Sequence, residues 1–344
     1  MLYVMDYTKL TSKKQKLDYL RPFPINFEKN LYEWFRVELT YTSNAIEGNT
    51  LTRRETAIVI EEGLTIGGKD LREHLEAKNH ALAWDFINTL IKKRPSQLSE
   101  KDVFTIHEII LKGIEDENAG CYRNVPVRIS GSTVVMPNPR KVPELMDKFF
   151  EWITSKHGLH PVAFAGEAHY RFVSIHPFVD GNGRAARLIM NLLLMMHGYP
   201  PAIIRKGDRL PYLKALETAQ LGGSKTDYEK IIAKAVERSL DIYLKAFKGN
   251  RAASKTSGQS VVVENIDSAK LLKIGELAKA AETSVSTIRY WTKEGLLEVV
   301  ETTNSGYQLY SPEMAQQCKK IKELQEKRLT IREIRMKFLK EEKL

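Results

Sequence analysis

The chain has 344 residues, 42% hydrophobic and 28% charged, with a net charge of +10 at pH 7; these proportions exclude a disordered or fibrous chain and leave room for two or three domains. The longest apolar run, residues 188–196, is interrupted by Asn191 and too short to span a bilayer. No basic segment followed by an apolar stretch opens the chain, and Cys121 and Cys318 stand far apart, so a cytoplasmic protein without disulfides or membrane partners is expected, its charge favouring polyanions.

In chain order, hydrophobic periodicity predicts helices over residues 33–41, 53–62 and 71–91, punctuated by Gly63, Gly67, Gly68 and Pro95, then an amphipathic helix over 101–111. Residues 125–135 turn to short β-like alternation around Ser130-Gly131-Ser132, a hairpin signal closed by Pro137 and Pro139. Helices return over 142–155, 161–174, 184–197, 209–221 and 227–247. One hairpin in a body of helices predicts a mainly α fold. Residues 249–268 lose periodicity and read as a flexible linker. The expected divisions are a helical region (1–96), a core (97–248), the linker (249–268) and a second module (269–344).

The most informative segment reads His176-Pro177-Phe178-Val179-Asp180-Gly181-Asn182-Gly183-Arg184-Ala185-Ala186-Arg187. Its groups suit a nucleoside triphosphate with a metal. His176 can act as a general base near working pH, and Asp180 can hold Mg²⁺ while phosphates fill the remaining positions. Gly181 and Gly183 allow backbone N–H groups to converge on an anion. The apolar stretch that follows places this turn at a helix N-terminus, where phosphate is well received. Arg184 and Arg187, three apart, share one helical face, and Asn182 adds a side-chain contact to a phosphate. No Gly-Lys-Ser/Thr follows, so the loop is not a P-loop, and no dinucleotide fingerprint is present. Phe178 is read as packing inward. Other features read as structural: 192–196 as core helix, His160, His169 and His197 as packing or surface histidines, and Lys92-Lys93-Arg94 as a solvated helix end.

This segment resembles the signature of the Fic family, His-Pro-Phe-x-Asp/Glu-Gly-Asn-Gly-Arg-x-x-Arg, at every fixed position. The resemblance extends from about residue 41 to 244 and includes His169-Tyr170-Arg171-Phe172 and Gly198-Tyr199-Pro200-Pro201. It implies a helical bundle with one hairpin flap. It also implies transfer of AMP from ATP, with Mg²⁺, to a Ser, Thr or Tyr hydroxyl of a target protein. Tyr212 matches a family position near the adenine, and Gln220 stands where relatives often have Asn. The flap residues Val127, Ile129 and Val134 would lay target backbone alongside a strand edge.

Upstream, Thr42-Ser43-Asn44-Ala45-Ile46-Glu47-Gly48-Asn49 resembles the family's inhibitory pattern, Ser/Thr-x-x-x-Glu-Gly/Asn. By that resemblance Glu47, with Ser43, pairs with Arg187 and denies it to the γ-phosphate. The residues alone are also those of a helix ending at Gly48 with a solvated glutamate. Removal of AMP on the same fold and a nucleotide-sensing transcription regulator stay open as alternatives, as does a homodimer.

In the second module, residues 274–278 start a short helix and 283–291 form a turn and a second one. Residues 299–310 are β-like around Asn304-Ser305-Gly306, as in a wing. The segment resembles the winged helix-turn-helix of the MerR family, with Gln308 where that family's wing has arginine. The resemblance implies that Ser284, Ser286, Thr287, Arg289 and Tyr290 face DNA, with protein docking as the other use of such a module. From Leu271 on, 14 Lys/Arg against 11 Asp/Glu leave a net of +3, modest for phosphate neutralisation.

Overall fold

The computed structural model describes residues 5–256 and, beyond them, 272–294, 296–297, 299, 301–302, 308–312, 314–326, 329–331 and 333–334. By internal contacts the chain divides into two units, residues 1–257 and 258–344. No helix among the described residues is long and apolar enough to cross a membrane.

In the first unit, α1 (Thr8–Tyr19) precedes the long α2 (Ile25–Glu47). α2 stops because Gly48 takes a left-handed φ of 105° and turns its N–H back to Ala45 O. α3 (Arg53–Ala57) begins with a reciprocal cap: Glu55 N–H donates to Thr52 Oγ1 at 3.2 Å and Thr52 N–H to the Glu55 carboxylate at 2.7 Å. It continues as a π-helical turn to Glu62. Next come α4 (Leu71–Leu90), α5 (Glu100–Leu111), α6 (Val142–Thr154), α7 (Pro161–Ile175), α8 (Asn182–Met196), α9 (Arg209–Gln220) and α10 (Thr226–Thr256).

α8 is the axis of this unit. Every residue from Arg184 to Leu194 is buried, and α2, α4, α5 and α7 pack around it. A helix buried on all sides lies inside a core, and here that core runs through Phe35, Trp84, Ile106, Phe172, Phe178 and Leu188. The consequence is positional: the N-terminus of α8 opens where α2, α4, α5 and α7 converge.

Two expectations fail in this unit. Residues 125–135 form no β-ladder; they run as an extended loop with one turn, Ser132 N–H to Ile129 O at 3.1 Å. Its backbone groups bond elsewhere: Thr133 N–H donates to Glu217 at 2.9 Å and Val125 O accepts from Arg123 at 3.2 Å, so no second strand is needed to satisfy them. The segment read as linker from residue 249 begins inside α10, which continues to Thr256; residues 257–271 lie outside the described ones.

The second unit holds β1 (Leu272–Lys273), α11 (Ile274–Ala280), α12 (Val285–Lys293), β2 (Glu301–Thr302), β3 (Gln308–Tyr310) and α13 (Met314–Glu326). β3 is central and antiparallel to both neighbours, pairing Leu272 with Tyr310 and Thr302 with Gln308. Leu277, Ile288, Trp291, Tyr310, Cys318 and Ile321 form its core. The expected wing tip, Asn304-Ser305-Gly306-Tyr307, lies outside the described residues.

Candidate active site

His176 ends α7 in the left-handed region, at φ 52°, a strained position for a residue with a Cβ. Three contacts hold it there. Its N–H donates to Phe172 O at 2.9 Å, Arg123 Nε donates to its carbonyl at 2.7 Å, and Arg123 N–H takes Pro177 O at 2.9 Å. The ring Nδ1 sits 3.3 Å from Val173 O, which assigns the proton to Nδ1 and leaves the Nε2 lone pair free. Burial lowers its pKa, with Arg123 adding to the effect and Val173 O, Glu47 and Asp180 opposing it. The imidazole is therefore a neutral base near pH 7.

The loop after it closes on itself. Phe178 is fully buried and stacks on His107 with ring centroids 3.6 Å apart. His107 Nδ1 accepts Gly120 N–H at 3.0 Å, so its Nε2–H donates to Asp180 O at 2.9 Å; burial holds its pKa near 4, which keeps it neutral. Gly181 has a left-handed φ of 75°, and a Cβ there would meet His107 Nε2 at 3.2 Å. Asn182 is the first correction. Its buried side chain accepts from Phe178 N–H and donates to Phe178 O, both at 2.9 Å. With its carbonyl and one N–H bonded to Phe178, the Asn182 amide closes the loop, in place of the expected side-chain contact to a phosphate. Gly181 N–H is also engaged, by Asp180 Oδ1 at 2.6 Å.

The charged groups lie in two sets. Asp180, 40% exposed, accepts from Arg72 at 2.8 Å and lies 3.3 Å from Arg184 Nη2. Arg184 is 3% exposed; its Nη1 is 3.3 Å from the Glu76 carboxylate but misaligned for a hydrogen bond, and its Nε has none among the described residues. Arg187, by contrast, is held by α2: Nε donates to Ser43 Oγ at 2.9 Å, and Nη2 donates to Ser43 O at 3.0 Å and to Glu47 at 2.6 Å. Burial works against its charge, and Glu47 overrides that, so its pKa is raised. Glu47 also touches Gly183: a Cβ on that glycine would collide with its carboxylate. A carboxylate closing α2 stands at the unfavourable end of that helix dipole, and the N-terminus of α8 supplies the compensating positive end.

Tyr212 is the second correction. It is 1% exposed and bonds His169 Nε2 at 2.8 Å, so it lies behind Arg187 instead of facing a base. Gln220 packs against the end of α7, with Ser174 Oγ at 3.3 Å. Leu213, Glu217 and Gln220 follow i, i+4, i+7 spacing on α9. Glu217 ties down the flap through Ser132 Oγ at 2.7 Å, and Leu213 is an exposed apolar side chain on the same face. In the flap, Val127 and Ile129 are half-buried, but Val134 is 8% exposed and packs inward, which removes it from a docking edge.

Reading the sequence missed Arg72, Leu213, Glu217, Arg123 and His107. Of these, His107 carried a signal: it shares an apolar helix face with Val103, Ile106 and Ile110.

Comparison with known proteins places this geometry. Residues 97–194 match the Fic/DOC family and residues 272–341 the MerR HTH family regulatory protein. A solved Fic domain containing signaling protein from Bacteroides thetaiotaomicron is 30% identical; 70% of this chain covers 96% of it with a TM-score of 0.62. The chain belongs to the Fic/DOC family. Fic-1 from C. elegans is 31% identical with a TM-score of 0.61, covering 69% of this chain and 70% of that one. Curated proteins named "Protein adenylyltransferase Fic" are 41% identical over 207 residues (Drosophila virilis) and 35% over 238 (Nematostella vectensis), covering 59% and 69% of this chain. This Fic chain spans about half the length of those relatives, 42% and 55% respectively.

In the second unit of the Fic chain, Ser284 caps α12, accepting Thr287 N–H at 3.0 Å. Ser284, Ser286, Arg289 and Tyr290 are exposed and Thr287 is half-buried.

Proposed function

We propose that the first unit transfers AMP from ATP to a hydroxyl of a protein, with residues 97–248 as the catalytic core and 1–96 as its inhibitory region. The observation that carries this reading is Arg184: a buried guanidinium with undonated N–H groups, in the first turn of a helix whose leading amides have no intrahelical partner. Such a site is built for an anion. His176 stands at the head of the same loop as a neutral imidazole with its Nε2 lone pair free.

The chemistry follows from these groups. The target hydroxyl gives its proton to His176 Nε2 as its oxygen attacks the α-phosphorus. The bond to the pyrophosphate oxygen breaks, and Arg184 with the amides of residues 182–184 stabilises the charge on the phosphate oxygens. Leu213 offers an apolar contact for the base. Asp180 fits one carboxylate of a Mg²⁺ site: it is partly exposed, and its present partners are the guanidiniums of Arg72 and Arg184. Among the described residues no three His, Cys, Asp or Glu side chains gather to hold a metal alone, so phosphates would supply the other oxygens, as Mg²⁺ prefers. When bound, the ion neutralises phosphate charge.

Glu47 is the brake in this reading. Its carboxylate occupies Arg187 and the space over Gly183, which a third phosphate would need. The deciding experiment incubates the Glu47→Gly protein with ATP labelled at the α-phosphate. Labelled protein should appear well above the parent's level and vanish on adding His176→Ala. Label that survives His176→Ala would sink the assignment, as would label at the γ-phosphate alone.

For the second unit we propose duplex DNA as partner, supported by the exposed Ser284, Ser286, Arg289 and Tyr290 at the head of α12 in a helix-turn-helix order. A mobility shift against genomic fragments at low salt tests it; no shift would favour a protein partner.

A further inference from the structure

Behind Arg187, side chains of α7, α9 and α10 enclose a row of polar groups. The Tyr228 hydroxyl donates to Gly166 O at 2.8 Å and lies 2.9 Å from His169 Nδ1. On the other side of that ring, His169 Nε2 lies 2.8 Å from the Tyr212 hydroxyl, which in turn interacts with the Arg187 guanidinium. All three side chains of the row are buried from solvent.

Hydrogen counting orients the row. A hydroxyl has one hydrogen. With its own committed to Gly166, Tyr228 can only accept from the ring, so His169 carries its proton on Nδ1. Burial pushes the imidazole down to about 3, so it is neutral and Nε2 is bare. Bare Nε2 accepts the hydrogen of Tyr212. Tyr212 is then left with lone pairs alone to present to Arg187, which has only donors.

The other anchors of Arg187, Ser43 and Glu47, both belong to α2. Any movement that lifts Glu47 away loosens that whole set together. We propose that Tyr228, His169 and Tyr212 form a directional hydrogen-bond chain that positions Arg187 for the terminal phosphate of a nucleoside triphosphate and holds it there once α2 lets go. The proposal rests on reading the head of α8 as a nucleotide site. Tyr212 and His169 are positioning residues, and Tyr228 sets their direction from two side chains away.

The test uses the full chain carrying Glu47→Gly and compares ATP with ADP by calorimetry. Arg187→Ala should abolish the preference for ATP. Tyr212→Phe should lower that preference about tenfold, on the order of one interaction with a charged group; Tyr228→Phe, acting through His169, should lower it by a smaller but measurable factor, with ADP binding unchanged in both. Tyr243→Phe, a partly buried ring stacked on Phe35 and outside the hydrogen-bonded row, should leave the ratio alone. A ratio unmoved by Tyr228→Phe, or by Arg187→Ala, overturns the proposal.

A second measurement needs no substitution to fold. ¹⁵N spectra of the histidines should find the His169 proton on Nδ1, and Tyr228→Phe should move it to Nε2; an Nε2 proton in the parent protein overturns the proposal directly. If AMP transfer fails while the ATP preference stands, the proposed reaction falls and these binding and tautomer readouts still judge the chain.

Discussion

Arg184 and Arg187 lie one turn apart on the same buried helix, yet their surroundings are opposites. Arg187 is hydrogen-bonded by Ser43 and Glu47, both from α2, and interacts electrostatically with Tyr212 of α9. Arg184 donates from Nη2 to Asp180 at 3.3 Å and lies 3.3 Å from Glu76, but its Nε and Nη1 have no hydrogen-bond partner among the described residues. Leaving buried guanidinium donors unmade costs stability; under the proposed function the Arg184 side is kept ready for an anion, while the Arg187 side is already filled by a carboxylate. On that proposal, nucleotide binding and its control are separated within a single helical turn.

The largest effect should come from emptying the open side. In the Glu47→Gly protein, Arg184→Ala should weaken ATP binding about 10- to 100-fold by calorimetry. Arg184→Lys should recover only part, since a point charge cannot replace the fork; an affinity unchanged by Arg184→Ala would end the contrast.

On the filled side, Glu47→Gln keeps shape but removes charge. It should raise basal AMP labelling about tenfold, less than Glu47→Gly does. Labelling equal to the parent's would mean that charge is not what holds Arg187.

Acid should act on the frame that both sides share. Burial holds His80 and His169 near 3 and His107 near 4. Above the usual imidazole value both folded and unfolded states are neutral there. Below it only the unfolded state takes up protons, so stability falls as pH drops from about 6.5 toward these values. Each histidine contributes ~1.4 kcal/mol per pH unit in that window. Urea unfolding at pH 7, 6 and 5 measures this, and a flat profile would contradict neutral buried rings.

For the reaction itself, the lowered pKa of His176 predicts that kcat/KM holds as pH falls past 6.5 and drops only below that. A midpoint above 6.5 would indicate a different base. The smallest effect belongs to the flap: Glu217→Gln should speed amide exchange of Thr133 without altering ATP affinity. Unchanged exchange would show that Glu217 does not hold the loop.

Much of this was legible in the residues. The signature and the helices follow from local spacing, because a helix face and a glycine turn are encoded over a few positions; the Glu47–Arg187 pairing, 140 residues apart, was available only through the family resemblance. The errors share one cause. Val134, Asn182 and Tyr212 were decided by contacts that residue type does not encode: Val134 turns into the core, Tyr212 meets His169 from α7, and the Asn182 amide closes on Phe178 of its own loop; no periodicity says whether an amide will meet a phosphate or its own loop. The missing hairpin has the same origin: alternation in 125–135 suits a strand, but Arg123 and Glu217 offered its backbone better partners.

The helical body, the glycine turn at the head of α8 and the chemical groups it carries were all set by residue type and short spacing. The packing of the elements settled which arginine keeps unpartnered N–H groups, which is held by α2, and that His169, a bland packing histidine in the sequence, stands between two tyrosines behind Arg187. Those outcomes depend on which buried donors and acceptors meet across α2, α7, α8, α9 and α10, and burial makes each such meeting obligatory.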